Sequence, residues 1–446
     1  MNSAAWIGIR FLVVMVLLGG FAPRALAGGG GYFEVTYPGS KQTNELVYDV
    51  AYRVWIPAGV KTLRGVIVHQ HGCGVGSWKG AVPGAKDLHW QALAQKWDCA
   101  LLVPSYQMGE KDNCRLWCDP RNGSEKTFLR ALADLGQQSA HPELATVPWC
   151  LWGHSGGGFW SSLMLTLHPE RIVAIWFRSG SAYGAWTKGE IPAPKLSPAV
   201  YTVPVVFNGG VKEETDPRHG PPRVADREMF KLWRANGAPA GFAPDPRTGH
   251  ETGDSRYLAI PFFDACLALR LPSRAGQPLK PVKVSAGWFA DMQGDVAQPA
   301  AQFAHDLKEA AWLPNERVAK AWEQYVKYGA TDDTTPPPAP TNVKAARTAK
   351  GVEITWDAEV DFESGLRAFV IQRDGKDLAQ FPEKPQNKFG RPLFQNMSYG
   401  DTCVEPLLDF KFVDATAKPG ERHDYRVIAV NSVELRSKPS RSAKVQ

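Results

Sequence analysis

The order of apolar segments in this 446-residue chain predicts an α/β fold, a large doubly wound and mostly parallel sheet, followed by a smaller all-β sandwich. Between residues 31 and 270 short apolar runs alternate with stretches of helical period, as they do where crossover helices cover both faces of a sheet. Residues 331–340 (TDDTTPPPAP) interrupt that order with a run of prolines. Beyond them apolar residues recur at every second position, the period of a half-exposed strand.

The chain opens with Arg10, the apolar run 11–18 (FLVVMVLL) and Ala25-Leu26-Ala27, which together read as an export signal cleaved after Ala27. The run is well short of the roughly 20 residues that span a bilayer, and Gly19, Gly20 and Pro23 break it. No later segment is apolar over a longer stretch, so the mature protein is expected to have no membrane span and to be secreted or periplasmic. The first domain is assigned to residues 28–330. Residues 46–56 read as an early strand and 64–69 (RGVIVH) as a central one, followed by a helix over 86–97 and a strand over 100–104. A helix over 126–137 leads to the apolar run 147–152 (VPWCLW), another helix over 156–167, and strands over 172–177 and 201–207. A helix is expected over 255–269 and an amphipathic one over 315–327. The prolines of 331–340 favour a stiff extended tether, expected to leave the orientation of the two domains free.

Composition narrows the function. A hydrophobic content of 44% supports a large core, and the length of 446 residues suggests two or three domains. The net charge of +6 is spread along the chain without a basic run, so nothing points to nucleic acid. Seven cysteines in an exported chain permit disulfides and leave at least one thiol over unless a partner chain takes it. Cys114 and Cys118, in a polar loop, are candidates to pair with each other or with Cys73. Cys99 and Cys150, at the starts of apolar strands, are expected to be buried thiols. No paired CxxC spacing marks a zinc site, and no cofactor is implied.

The strand ending at Trp152 runs directly into residues 153–158 (GHSGGG), and a helix follows. Strand, glycine-flanked serine and helix are what a nucleophile elbow requires. The sharp turn tolerates only small neighbours, and the serine Oγ stands at the positive end of a helix. A phosphate-binding loop would need a following lysine or a dinucleotide glycine spacing, and neither is present. With this elbow, and with residues 70–74 (QHGCG) directly after the strand at 64–69, the sequence resembles the α/β-hydrolase family over about residues 32–270.

That resemblance implies a serine, acid, histidine order and an oxyanion hole built from backbone amides. Carried onto this chain, the nucleophile is Ser155 and the oxyanion donors are the amides of Gly156 and of Cys73, with Gly74 as the alternative to Cys73. Of the later histidines, His168 lies on the helix leaving the serine and His423 in the other domain, while His219 and His305 complete the set. His250, in residues 245–253 (DPRTGHETG) ahead of a helix, is the expected base. The acid should follow the strand at 201–207, where Gly210 to Glu213 matches the family's GxxD pattern with glutamate in place of aspartate. Glu213 is therefore the expected acid, and Glu214 and Asp216 are its rivals. Trp78, Trp117, Trp152, His154 and Trp186 are candidates to line an acyl or sugar cleft, or else are ordinary core.

Residues 341–446 resemble a fibronectin type III domain, with Trp356 as core tryptophan and residues 425–431 (YRVIAVN) as a late strand. The segment 382–402 departs from that pattern as an inserted loop. Together the two resemblances imply a secreted serine esterase similar to polyester depolymerases and to enzymes that deacylate polysaccharides. Its partner would be an ester substrate, small or polymeric. A serine peptidase of the prolyl-oligopeptidase kind and a non-catalytic binding protein on the same scaffold are the alternatives.

Overall fold

A computed structural model of the chain describes residues 30–445, apart from 275, 388, 389 and 396–406. The export-signal segment 1–27 and much of the 382–402 insertion lie outside the described residues.

Eight strands form the main sheet: β1 (Gly31–Tyr37), β2 (Val50–Ile56), β3 (Gly65–Gln70), β4 (Cys99–Tyr106), β5 (Trp149–His154), β6 (Ile172–Arg178), β7 (Val205–Gly210) and β8 (Ala240–Asp245). They lie in the order β1-β2-β4-β3-β5-β6-β7-β8. The β1–β2 and β2–β4 pairs are antiparallel, and every pair from β4 to β8 is parallel. Helices α1 (Val75–Ala81), α2 (Leu88–Lys96), α3 (Arg115–Cys118), α4 (Ser124–Gln138), α5 (Gly156–Leu167), α6 (Tyr183–Thr187), α7 (Gly220–Ala235), α8 (Arg256–Arg270) and α9 (Glu316–Tyr328) connect and extend it.

Alternate residues of each central strand feed two separate cores. Val66, Val68, Trp149 and Leu151 pack with Phe128 of α4, Trp160 of α5 and Trp233 of α7. Ile67, Cys150 and Trp152 pack with Trp90 of α2, Phe263 of α8 and Trp322 of α9. Because both faces are covered, these strands read in sequence as continuous apolar runs rather than as alternation. The connection from β3 leads outward to β4, and the next returns past β3 to β5. The sheet thus reverses direction between β3 and β5, and the carboxyl ends of two such strands frame the crevice in which open α/β sheets bind ligands.

The stretch 271–330, unreadable apart from its helix, adds β9 (Trp288–Ala290), β10 (Ala297–Pro299) and β11 (Ala311–Leu313) as a small antiparallel sheet, with α9 in the same core as α8. The C-terminal module is a two-sheet sandwich. One sheet holds β12 (Thr341–Thr348), β13 (Gly351–Asp357) and β16 (Lys411–Asp414). The other holds β14 (Leu366–Arg373), β15 (Lys376–Phe381), β17 (His423–Asn431) and β18 (Ala443–Val445). Trp356, Phe369, Phe410 and Tyr425 fill the space between them.

The tether does not leave the module free, because α2 and α8 make specific contacts with it. Arg256, ion-paired at 2.9 Å to the fully buried Asp87, donates a further bond to the Gln395 carbonyl, and His89 Nε2 donates to the Phe362 carbonyl at 3.0 Å. Lys96 lies over the Phe362 ring, and Leu88 packs on the module's core. The proline run predicts a stiff segment but carries no information about these contacts across more than a hundred residues. A chain ended after Ala330 is expected to melt on the order of 5 °C lower, since it loses one buried and one part-buried hydrogen bond of about 0.5–1.5 kcal/mol each. Thermal denaturation checks this, and an unchanged Tm would show that the contacts contribute nothing.

Candidate active site

The elbow is set by close approach. Ser155 sits at φ 52° and ψ −115°, a strained conformation for a residue with a side chain, and its amide donates to the Arg178 carbonyl at 2.8 Å. A Cβ at Gly153 would run into Gly157, and one at Gly157 into the carbonyls of Gln70 and His71. The glycines therefore let β5, α5 and the loop after β3 touch, which brings the elbow against the second motif.

In that position Ser155 Oγ donates to His250 Nε2 at 2.9 Å, and His250 Nδ1 donates to Glu213 Oε1 at 2.6 Å. The three residues predicted from chain order lie in one hydrogen-bonded line. Glu213 is 2% exposed. Its two rivals point elsewhere. Glu214 binds Arg223 and Arg227, and Asp216 Oδ1 accepts from the amides of Arg218 and His219 at 2.8 and 3.0 Å. Glu213→Gln is accordingly expected to lower kcat by about 10³–10⁴-fold on any substrate the line turns over, while Glu214→Gln and Asp216→Asn stay within a few-fold. Steady-state kinetics of the three variants check it.

Several partners that hold this line are invisible to local sequence patterns. Arg178 is fully buried at the end of β6. It donates to Thr248 Oγ1 at 2.8 Å and to the carbonyls of Gly249 and Glu251, gripping the loop on both sides of His250. His154 Nε2 donates to the His250 carbonyl at 2.6 Å. His219 stacks on the His250 ring, centroids 3.8 Å apart and planes 14° from parallel, with its Nδ1 3.2 Å from Asp216. Only the chemical types were signals in the sequence: a buried arginine at a strand end, and histidines beside the elbow and beside the acid.

Burial is the largest influence on His250 and holds its pKa below the ordinary 6.5, outweighing Glu213, while His219 and Arg178 push in the same direction as burial. The imidazole is therefore neutral at pH 7, as a base must be. Its basic form is lost only as pH falls through that depressed pKa. The acid limb of kcat/KM is thus expected to have its midpoint below 6.5, and a midpoint above 6.5 would contradict burial as the dominant influence on His250.

The loop after β3 is fixed in an equally specific way. His71 Nδ1 donates to the Gly72 carbonyl at 2.5 Å, and His71 Nε2 accepts from the Tyr106 amide at 3.2 Å. Burial lowers the His71 pKa to about 4, so the ring stays neutral and keeps both roles. A trans peptide is planar, so gripping the Gly72 oxygen also sets the direction of the Cys73 N–H. The Gly74 amide is engaged with Met108 Sδ at 3.4 Å. A Cβ built on Gly156 would lie 3.4 Å from the Cys73 nitrogen, so the two residues expected to supply the oxyanion donors lie side by side.

Ser155, His250, Gly156 and Cys73 line a cavity of about 430 Å³. Among the described residues its other aromatic walls are Phe159 and His219. The tryptophans expected around it do not line it. Trp117 is fully buried and stacks on Tyr106, Trp152 stacks on His69, Trp186 is buried in the core, and Trp78 donates to the Met108 carbonyl. Large rings under long loops pack inward, and position after a strand end does not tell the two fates apart. Of the remaining histidines, His168 pairs with Glu125, His305 with Asp291 and His423 with Asp374. Cys73 and Cys114 form a disulfide, and Cys99, Cys118, Cys150 and Cys266 are buried free thiols. Among the described residues no helix is long and apolar enough to cross a membrane.

No family model and no curated protein matches the sequence. Solved structures similar to parts of the chain include a poly(aspartic acid) hydrolase from Sphingomonas sp. KT-1, at 18% identity over 50% of this chain and 94% of that one, TM-score 0.36. An S-formylglutathione hydrolase from Agrobacterium tumefaciens matches at 16% identity over 55% and 95%, TM-score 0.36. A fibronectin type III-like protein from Clostridium thermocellum matches at 18% identity over 25% and 94%, TM-score 0.17.

Proposed function

We propose that this chain is an exported serine hydrolase that cleaves carboxylic esters through an acyl-enzyme intermediate. The observation that carries the reading is the unbroken line from Ser155 Oγ through His250 to the buried Glu213. His250 takes the proton as Ser155 attacks the ester carbonyl, and Glu213 stabilises the imidazolium. The amides of Gly156 and Cys73 receive the developing oxyanion. The alcohol leaves with the proton, and water repeats the sequence on the acyl-enzyme.

Gly180, Gly184, Ala185 and Ala225 are among the residues that line the cavity, and their small side chains leave room in it for the acyl group. A second cavity of about 760 Å³ shares Gly184, Lys188, Pro221 and Ala225 with the first. It gives a longer or polymeric alcohol half a place to lie. A disulfide in the cavity wall fits the export expected from residues 1–27.

Turnover of p-nitrophenyl esters and of peptide anilides tests the reading. Fast hydrolysis of the esters with none of the anilides is expected. Anilide cleavage at a comparable rate would point to a peptidase, and a folded, inert protein would leave only the non-catalytic alternative.

A further inference from the structure

The disulfide joins two segments that are 41 residues apart in the sequence and meet at the site. Cys73 belongs to the loop after β3, and Cys114 immediately precedes α3, 41 residues later, with Cα atoms 5.7 Å apart. Both half-cystines line the same cavity as Ser155 and His250, and both are partly exposed there. A side chain at Gly156 would collide with Cys73 Sγ and lie 3.1 Å from Cys114 Sγ. One covalent bond therefore carries the first expected oxyanion donor and rests on the residue that supplies the second.

We infer that Cys73–Cys114 is a positioning device for the oxyanion hole, so that catalysis depends on the oxidised state of this pair. The inference rests on the reading of Ser155 as an acylated nucleophile. His71 sets the plane of the Gly72–Cys73 peptide, and the disulfide sets where that peptide sits relative to α5. A fixed donor stabilises a transition state only while it cannot retreat from the developing charge. Freed from Cys114, the loop keeps weaker anchors: Gly74 to Met108 Sδ, Trp78 to the Met108 carbonyl, and Ser77 Oγ to the Cys73 carbonyl. These anchors hold the fold while allowing the amide to drift.

Reduction is open to a small dithiol entering the cavity. Its thiolate attacks one sulfur and expels the other as a thiolate, which takes up a proton. The second thiol of the reagent then displaces the remaining cysteine and closes the reagent's own disulfide. Two electrons and two protons pass from reagent to protein. Cys118 cannot easily begin this exchange from within, although its sulfur lies within 4.8 Å of both others, because burial holds its thiol well above the ordinary range.

The test treats folded wild-type protein with a phosphine or dithiol, removes the reagent without air, and measures p-nitrophenyl acetate kinetics. Circular dichroism and thiol alkylation are read on the same sample, and Cys114→Ser is measured in parallel. Reduced and Cys114→Ser proteins are expected to remain folded, to lose tenfold or more in kcat with KM within about twofold, and to bind a boronic acid correspondingly less tightly, in keeping with the 10²–10³-fold worth of one whole donor. Reoxidation restores the wild type and not the variant. A fully reduced, folded wild type with unchanged kcat would overturn the inference while leaving the esterase reading intact. Oxidised wild type that neither turns over esters nor reacts with a fluorophosphonate would overturn both.

Discussion

Ser155→Ala is expected to lower kcat by about 10⁶-fold on any ester the wild type hydrolyses, the scale on which loss of a triad nucleophile is felt. The hydroxyl lines the cavity, is hydrogen-bonded to the His250 ring, and becomes nucleophilic when its proton is taken. The fold should survive the change. The strained backbone at φ 52° is held by the Ser155 amide to Arg178 and by the surrounding glycines, and none of these contacts uses Oγ. KM is expected to move little, since Ser155 is one of many residues that line the cavity. Kinetics and a thermal melt on the same preparation check both halves.

His250→Ala is expected to be nearly as damaging, again about 10⁶-fold, because serine and histidine act as one unit and neither works without the other. Arg178 and His154 hold the loop through backbone carbonyls and the Thr248 hydroxyl, not through the imidazole, so the loop should keep its place. The variant should therefore melt near the wild-type temperature while being almost inert. A variant retaining a tenth of the activity would mean that another base serves Ser155, and His219, stacked on the same ring, would be the first to examine.

The fold was legible along the central strands, whereas β8, although buried, and helix α7 were not read. The apolar runs at β3 to β6 and the helix entered at Gly156 were found from sequence close to where they lie. β1 went unread. It is an edge strand with half-exposed residues and no flanking apolar run, so it lacks the signal that marks the central strands. The expected strand at 201–207 proved to be a short 3-10 turn over Pro198–Thr202 followed by β7, a shift of several residues that proline at 204 helps to explain.

Within the site, the family resemblance, with its serine, acid, histidine order, pointed to Ser155, His250 and Glu213, with Glu214 and Asp216 as rivals for the acid, because the strand-to-loop-to-helix context that carries it is written locally. Arg178, His154 and His219 were missed as supports. Their contacts with the His250 loop span 31 to 96 residues, and nothing in a local window encodes which of two distant loops will meet. The Cys73–Cys114 pairing was one of several open in the sequence for the same reason.

The central claim, that Ser155 is a nucleophile activated by His250, is tested most directly by active-site labelling. Wild-type protein is incubated with a fluorophosphonate and the adduct is mapped by tandem mass spectrometry, beside Ser155→Ala and His250→Ala. One phosphonyl group per chain on Ser155 is expected, with none on the first variant and labelling of the second slowed by orders of magnitude. An adduct on any other residue, or a folded wild type that hydrolyses esters without being labelled, would contradict it.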